Sequence, residues 1–247
     1  MNTASEIGFE IVPRAALSLT HREAMYHLLD GHFDGVTPGQ FAADLAEKDI
    51  VLLLNRKDRL VGFSTLLSYS TPFEGESIQV IYSGDTLVAP DAWGSTALPR
   101  AWLAGVEALR TTLPPGRCFW MLLTSGFRTY RFLPVFWREF HPCFDSVPSP
   151  GILRLTERLA SEQFGAQFDQ RAGIVRFVRP QRLRLGLEKI PPGREKDPHI
   201  AYFLARNPGH PEGDELVCLT ELSPENLTAA GRRMFHRHVH ELASRHS

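Results

Sequence analysis

The sequence has 247 residues and nearly balanced charge, with 27 Lys and Arg against 28 Asp and Glu, which gives a formal net charge of -1. This balance disfavours a general electrostatic attraction to nucleic acid or to an anionic membrane. The cysteines, Cys118, Cys143 and Cys218, are far apart, so neither a disulfide framework nor a thiolate zinc site is indicated. The sequence starts without a signal-peptide pattern, and its apolar runs are too short to span a bilayer. We therefore expect a cytoplasmic protein with no membrane span.

The first elements are predicted to be a short strand and two capped helices. Residues 9–12, which Pro13 follows, indicate a short strand. Thr20 and Glu23 have the spacing of a capping box, in which a hydroxyl and a carboxylate satisfy free backbone N–H groups at a helix start. Thr37 and Gln40 have the same spacing, so two helices should follow each other before residue 50.

Three strands should follow in succession. Residues 50–54 are a continuous apolar run, and residues 60–69 resume after a polar turn, so together they predict a hairpin. Residues 77–88 predict a longer third strand that contains Gly84. A glycine inside a strand often marks a β-bulge or a close approach of the backbone to another group. Consecutive strands of this kind imply an antiparallel arrangement.

A strand–helix–strand unit completes the first part of the chain. Apolar residues at helical spacing predict a helix over about 98–109, and residues 119–123 predict a buried strand. A strand that continues through a helix into a second strand implies a parallel crossover. The order therefore predicts a mixed α/β fold, whose mostly antiparallel twisted sheet contains one parallel strand–helix–strand unit. A further helix is expected over about 130–140.

The rest of the chain, residues 149–247, is predicted to be a C-terminal α+β extension packed on a first domain of residues 1–148. Its expected elements are a helix over 152–164, strands near 174–178, 200–205 and 216–219, and a last helix after residue 223.

Two patterns in this extension allow a functional and a structural interpretation. Seven basic residues between positions 176 and 196 would either dock an acidic partner, such as a carrier protein, or form a solvated surface. The histidines in the segment FHRHVHEL, His236, His238 and His240, resemble part of a metal-binding helix, but Ser244 stands where the zinc-protease motif needs its second histidine. We therefore predict a solvated helix and no metal site.

The order of elements, together with the segment VIYSGDTLVAPDAWGSTALPRAWLAGV, resembles the GNAT superfamily of acyl-CoA N-acyltransferases. In that family the fourth strand leads into a turn of the form V-x-P-x-x-R-G-x-G-x-G and then a helix, and Val88, Pro90 and Gly94 match this turn. The resemblance covers about residues 7–145. It implies a GNAT-like fold, in which the two strands of the parallel unit are adjacent and separate near their carboxyl ends. It also implies an N-acyltransferase that moves an acyl group from a thioester to an amine.

The sequence departs from the family at the turn that holds the cofactor. Trp93 stands where the family has Arg or Gln, and Thr96 and Leu98 stand where it has two small residues. Small residues let backbone N–H groups approach the cofactor's diphosphate at the helix start, and larger ones would crowd it. The acyl donor is therefore expected to be acyl-CoA or acyl-phosphopantetheine, with an acyl carrier protein as a possible partner because it presents only the phosphopantetheine arm. The family's tyrosine general acid would fall near Phe136, which has no proton to give.

The resemblance also indicates the site residues. Asp85, near the end of the long strand, is the expected general base, unless it bonds a neighbouring backbone group instead. Tyr130, at the start of a later helix, replaces the missing tyrosine as the expected general acid. The expected cofactor-binding residues are Leu87, Val88, Trp93, Gly94, Ser95, Thr96, Ser125 and Arg128.

Two functions from different classes are compatible with this pattern. The first is an enzyme that acylates a small-molecule amine. The second is a non-catalytic GNAT-like module that binds an acyl thioester or a protein partner, which the substituted turn from Trp93 to Leu98 would favour.

Overall fold

The computed structural model describes residues 6–235. In chain order the strands are β1 (Gly8–Pro13), β2 (Phe33–Asp34), β3 (Ile50–Arg56), β4 (Arg59–Phe73), β5 (Glu76–Val88), β6 (Cys118–Thr124), β7 (Phe168–Asp169), β8 (Ile174–Val175), β9 (Arg182–Leu183) and β10 (Glu215–Glu221). The helices are α1 (Leu19–Asp30), α2 (Pro38–Ala46), α3 (Ala97–Arg110), α4 (Phe127–Tyr130), α5 (Phe132–Phe136), α6 (Pro150–Phe164) and α7 (Pro198–Arg206). Residues 229–235 are also helical.

The helix starts follow from local capping, although one differs from the prediction. Ser18, rather than Thr20, caps α1, and its hydroxyl accepts a hydrogen bond from the backbone N–H of His21. Thr37 caps α2 as predicted, because its hydroxyl accepts from the N–H of Gln40. A side-chain oxygen at this position satisfies one of the N–H groups that a helix start leaves free.

Eight strands form one sheet in the order β1-β3-β4-β5-β6-β10-β8-β7, and β2 pairs with β9 in a separate ribbon. The pair β5 and β6 is parallel, and the other neighbours in the sheet are antiparallel. Helix α3 connects the parallel pair. The predicted mixed α/β fold with one parallel strand–helix–strand unit is therefore confirmed.

Helices cover both faces of the sheet, which explains why the central strands are apolar on both sides. On one face, α3 packs Trp102 against Trp120 of β6, with ring centroids 4.4 Å apart. On the other face, α1 and α2 cover β3 and β4, and α6 packs Leu155 and Leu159 against β5, β6 and β10. Between α2 and α6 this second face carries polar side chains, which form part of the site described below.

The C-terminal part of the chain contributes to the same sheet. β10 lies beside β6 along its whole length, and β8 and β7 follow at the edge. Residues on both sides of position 148 therefore share one sheet, and the division into two domains stays a prediction.

Two local predictions were wrong. Residues 200–205 lie in helix α7 instead of a strand, because Asp197 caps this helix and Pro198 occupies its first turn. The helix expected over 130–140 is broken into the short helices α4 and α5 and ends at Phe136.

In the part of the chain that the structure describes, no helix is long and apolar enough to cross a membrane.

Candidate active site

The two parallel strands separate before they end. Their pairing runs from Gln79 with Cys118 to Ser83 with Leu122, although β5 continues to Val88. Gly84 and Asp85 together lie opposite Thr65 alone, which forms a β-bulge at the point of separation. The predicted separation of the strands and the predicted bulge are both present.

Gly84 is the residue that this bulge requires. A Cβ atom at position 84 would lie 2.6 Å from Cε of Lys48 and 2.7 Å from Oγ1 of Thr65. Lys48 is itself only 7% exposed, so it has little room to move away. The absence of a side chain at Gly84 therefore lets the lysine lie directly against the backbone of β5.

A cavity of about 810 Å³ opens at this gap. It runs along the carboxyl ends of β5 and β6, where chain segments past the strands commonly line ligand sites in α/β proteins. Seven of the predicted site residues line it: Asp85, Leu87, Val88, Trp93, Gly94, Ser125 and Arg128. The structure thus brings together the expected base and most of the expected cofactor-binding residues.

Asp85 is unpaired, and its pKa is raised. Its side chain lines the cavity and has no hydrogen-bond or ion-pair partner among the described residues. Burial, and to a smaller extent the nearby Asp44, raise the pKa of Asp85 to about 6, whereas Lys48 lowers it. A pKa in this range leaves the group ionised at neutral pH and able to accept a proton efficiently.

Further charged groups surround Asp85, and sequence reasoning missed them. Glu215, at the start of β10, lines the same cavity, and its pKa is raised to about 8 by burial first and then by Asp85 and Asp44. Nζ of Lys48 lies 5.4 Å from the centre of the Tyr82 ring and 3.9 Å from a carboxylate oxygen of Glu47. Burial also raises the pKa of Asp44, at the end of α2.

Position in the sheet explains why these groups meet. Leu216 pairs with Thr124, so Glu215 lies opposite Ser125 at the end of β6. Val217, two residues later, belongs to the apolar cluster on the α6 face together with Tyr82. Because alternate residues of a strand share a face, Glu215 also lies on that face. No local signal near position 215 indicates this, since it depends on β10 pairing with β6.

On the opposite side of the gap, a stack of Trp93 and Arg128 links the two strands. The indole N–H of Trp93 donates to the carbonyl oxygen of Val88 over 2.7 Å. Cζ of Arg128 lies 3.8 Å from the centre of the Trp93 ring. The same guanidinium donates to the carbonyl oxygens of Leu187 and Lys189, over 2.6 and 2.9 Å. Burial lowers the pKa of Arg128, and much of its hydrogen-bonding capacity is used within the protein.

The start of α3 differs in its side chains from the diphosphate cradle that the resemblance to the GNAT family implies. Ser95 and Thr96 lie outside the cavity lining, and the Ser95 hydroxyl accepts from the N–H of Ala97. Pro99 has no N–H to offer. The backbone N–H groups of Gly94, Thr96 and Leu98 have no partner among the described residues, and the side chain of Leu98 lines the cavity. The bulk of Leu98, where the family has a small residue, is therefore the feature that sets this helix start apart.

Tyr130 lies in the core rather than at the cavity. It is fully buried, and its hydroxyl donates to the carbonyl oxygen of Pro142 over 2.9 Å. Burial, more than any neighbouring group, raises the pKa of Tyr130. A phenol in this position has no access to a thiolate in the cavity, so we assign Tyr130 to packing instead of proton transfer.

The histidines His236, His238 and His240 lie outside the described residues. Among residues 6–235, no group of three or more His, Cys, Asp or Glu side chains is arranged to hold a metal ion.

No protein-family model matches the sequence, and no curated protein matches it. Among solved structures, the chain is similar to a probable N-acyltransferase from Enterococcus faecalis V583 (13% identity, 53% of this chain and 33% of that chain, TM-score 0.41). It is similar to a GCN5-related N-acetyltransferase from Kribbella flavida (14% identity, 53% and 33% of the two chains, TM-score 0.41). It is also similar to the GNAT family N-acetyltransferase YhbS from Escherichia coli, solved in complex with CoA (14% identity, 53% and 70%, TM-score 0.39).

The aligned part spans 33% of the length of each of the first two proteins. Because the identities are 13–14% and the TM-scores 0.39–0.41, these similarities carry no argument about activity.

Proposed function

We propose that this protein transfers an acyl group from a thioester to the nitrogen of a small-molecule amine. The observation that supports this most is the gap between β5 and β6, with the unpartnered carboxyl group of Asp85 in the bulge at its edge. A gap between two strands exposes backbone N–H and C=O groups that can pair with an extended pantetheine arm.

The chemistry requires little more than positioning and one base. A thioester is already activated, so holding it close to the amine supplies much of the rate increase. The Asp85 carboxylate accepts a proton from the amine while the nitrogen forms a bond to the thioester carbonyl carbon. The bond from that carbon to sulfur then breaks, and the thiolate leaves. The backbone of Leu87 and Val88 lies at the cavity and would position the donor.

The acyl donor proposed is an acyl-phosphopantetheine, carried by an acyl carrier protein or by CoA. The side chain of Leu98 at the start of α3 favours the carrier protein, because a bulky residue there leaves less room for the diphosphate of CoA. The basic segment over 176–196 lies partly at the cavity, where Arg179 is exposed and has no partner among the described residues. Such a group would attract an acidic carrier protein. The cytoplasm, where carrier proteins and free thiols occur, is the proposed location.

A transfer assay tests the proposal. Free thiol is measured after mixing the protein with an acyl-CoA or an acylated carrier protein and a panel of amines. With a base of pKa about 6, the rate should rise with pH through that value and then level off. Asp85→Asn should lower kcat by about 10²–10⁴-fold at neutral pH and lose this dependence. The matched variant Asp58→Asn, in the exposed turn after β3, should retain full activity.

A second function is favoured by the Trp93 contact. Its indole occupies the Val88 carbonyl, which a pantetheine arm would otherwise use. A module that binds a thioester or a protein partner without turnover would tolerate this obstruction. Tight binding of an acylated carrier protein, with no thiol released for any amine, would favour the module.

A further inference from the structure

The end of the cavity between α2 and α6 contains more negative than positive side chains. We call it the acidic pocket and define it by six residues that line the cavity: Asp44, Lys48, Tyr82, Asp85, Ser125 and Glu215. These residues come from α2 and the segment after it, from β5, from the end of β6 and from the start of β10.

The three carboxyl groups of the acidic pocket outnumber its one cation, Lys48, which lowers the pKa of Asp44 and of Asp85 without forming an ion pair with either. No side chain of the described residues forms a hydrogen bond or an ion pair with Asp44, Asp85 or Glu215. The one cation, Lys48, already has the carboxylate of Glu47 at 3.9 Å. Asp44, Asp85 and Glu215 are each half-buried, so their charges are only partly hydrated, and carboxyl groups in such positions are commonly paired. Three such groups beside a single lysine favour a positively charged ligand at this end of the cavity.

Two hydroxyl groups point to a ligand independently of these charges. Tyr82 and Ser125 are each only 8% exposed, and both line the cavity. Neither hydroxyl has a hydrogen-bond partner among the residues that the structure describes. A hydroxyl oxygen can accept a hydrogen bond from an ammonium group as well as donate one. These side chains would therefore complete the coordination of a bound cation.

The reacting nitrogen of the acceptor does not supply this charge. It must be neutral when it attacks the thioester, and its proton passes to Asp85. Asp44 and Glu215 are then still without an ion-pair partner among the described residues. The carboxyl groups are not arranged around a single metal site among the described residues, which favours an extended organic cation.

We propose that the acceptor is a diamine or polyamine. Its reacting nitrogen lies at Asp85, and its second, protonated nitrogen lies between Asp44 and Glu215 and contacts the hydroxyls of Tyr82 and Ser125. This inference rests on the proposed acyl transfer for the identity of the reacting end. Amines that carry a carboxylate, such as amino acids, are disfavoured because their negative charge would face the same carboxyl groups.

Calorimetric titration of the full chain without an acyl donor tests the inference. The probes are 1,4-diaminobutane, butylamine, which lacks the second nitrogen, and 4-aminobutanoate, which replaces it by a carboxylate. The diamine should bind at least about tenfold more tightly than butylamine, as expected for one charged hydrogen bond, and 4-aminobutanoate should bind most weakly. Equal affinities for the diamine and butylamine, or no binding of either, would overturn the inference.

Variants locate the second nitrogen. Glu215→Gln should weaken binding of the diamine about tenfold or more and leave butylamine unchanged. Glu76→Gln, an exposed position at the other end of the strand that carries Asp85, is the matched control and should change neither. A Glu215→Gln protein that is folded by circular dichroism but binds the diamine normally would also overturn the inference.

The transfer assay separates this inference from the proposed function. If the diamine binds tightly but no donor releases thiol, the proposed acyl transfer is refuted and the proposed cation site is retained. If thiol is released equally well with butylamine and with the diamine, the acyl transfer stands while the diamine proposal fails.

Discussion

Replacing Glu215 by Gln should stabilise the protein at alkaline pH and have little effect at acid pH. The pKa of Glu215 is raised from 4.5 to about 8, mainly by burial. The folded state therefore binds the proton more tightly than the unfolded state does. Below pH 4.5 the carboxyl group is protonated in both states and contributes nothing. As the pH rises from 4.5 to about 8, the unfolded state loses its proton first, so folding becomes progressively less favourable.

The size of the effect follows from the two pKa values. A tenfold change in proton affinity is worth about 1.4 kcal/mol, so the full difference corresponds to about 5 kcal/mol above pH 8. The side chain faces a cavity that admits water, which reduces the cost of its charge. We therefore expect Glu215→Gln to raise the free energy of unfolding by about 2–3 kcal/mol at pH 8.5 and by about zero at pH 4.5.

Urea denaturation followed by fluorescence, from pH 4.5 to 9, measures this difference. Glu76→Gln serves as the control. Glu76 is exposed at the start of β5, so its replacement should give no pH-dependent gain in the free energy of unfolding. A Glu215→Gln gain that does not change with pH would refute the reasoning. So would a loss of stability at pH 8.5, since it would mean that the carboxylate is already compensated in the folded protein.

Three further substitutions test the geometry around the gap. Gly84→Ala should lower the free energy of unfolding by about 1–3 kcal/mol in urea, because the new methyl group overlaps Lys48, whereas Gly39→Ala, with nothing within 4 Å, should not. Trp93→Phe should cost about 1 kcal/mol in the same assay, since it removes the indole hydrogen bond, and it should strengthen binding of phosphopantetheine if that bond obstructs the arm. Tyr130→Phe should cost about 1–3 kcal/mol, through the buried carbonyl that it leaves unpaired, and should leave the rate of any acyl transfer by the folded protein unchanged.

Local patterns were sufficient to predict the central sheet. The strands around β3, β4, β5 and β6 are continuous apolar runs separated by polar turns, and each run reflects burial on both faces. Gly84 indicated a bulge or a close approach to the backbone, and the structure has both at this position. Where a local signal was ambiguous, at residues 200–205, the cap of Asp197 decided in favour of a helix.

The acidic pocket could not be predicted in this way. Asp85 was found because it lies in the bulged strand, but its neighbours Asp44 and Glu215 are 41 positions before it and 130 after it in the sequence. Glu215 reaches the site only because β10 inserts next to β6, and the sequence near 215 contains no signal for that pairing. Tyr130 was predicted to face the cavity because of its position just after β6. Its side chain instead turns into the core, where its hydroxyl donates to the carbonyl oxygen of Pro142.

The same unpaired carboxyl groups explain both the stability that the acidic pocket costs the folded protein and the affinity proposed for a cation. Buried carboxyl groups without partners destabilise the folded chain, and a protein of ordinary stability tolerates only a few of them. A ligand with its own positive charge would remove this penalty when it binds, because it supplies the missing counter-charge. The free energy that the ligand-free protein loses at Asp44, Asp85 and Glu215 would then reappear as affinity for the cation. This accounts for carboxyl groups lining a cavity in which neutral side chains would make the fold more stable.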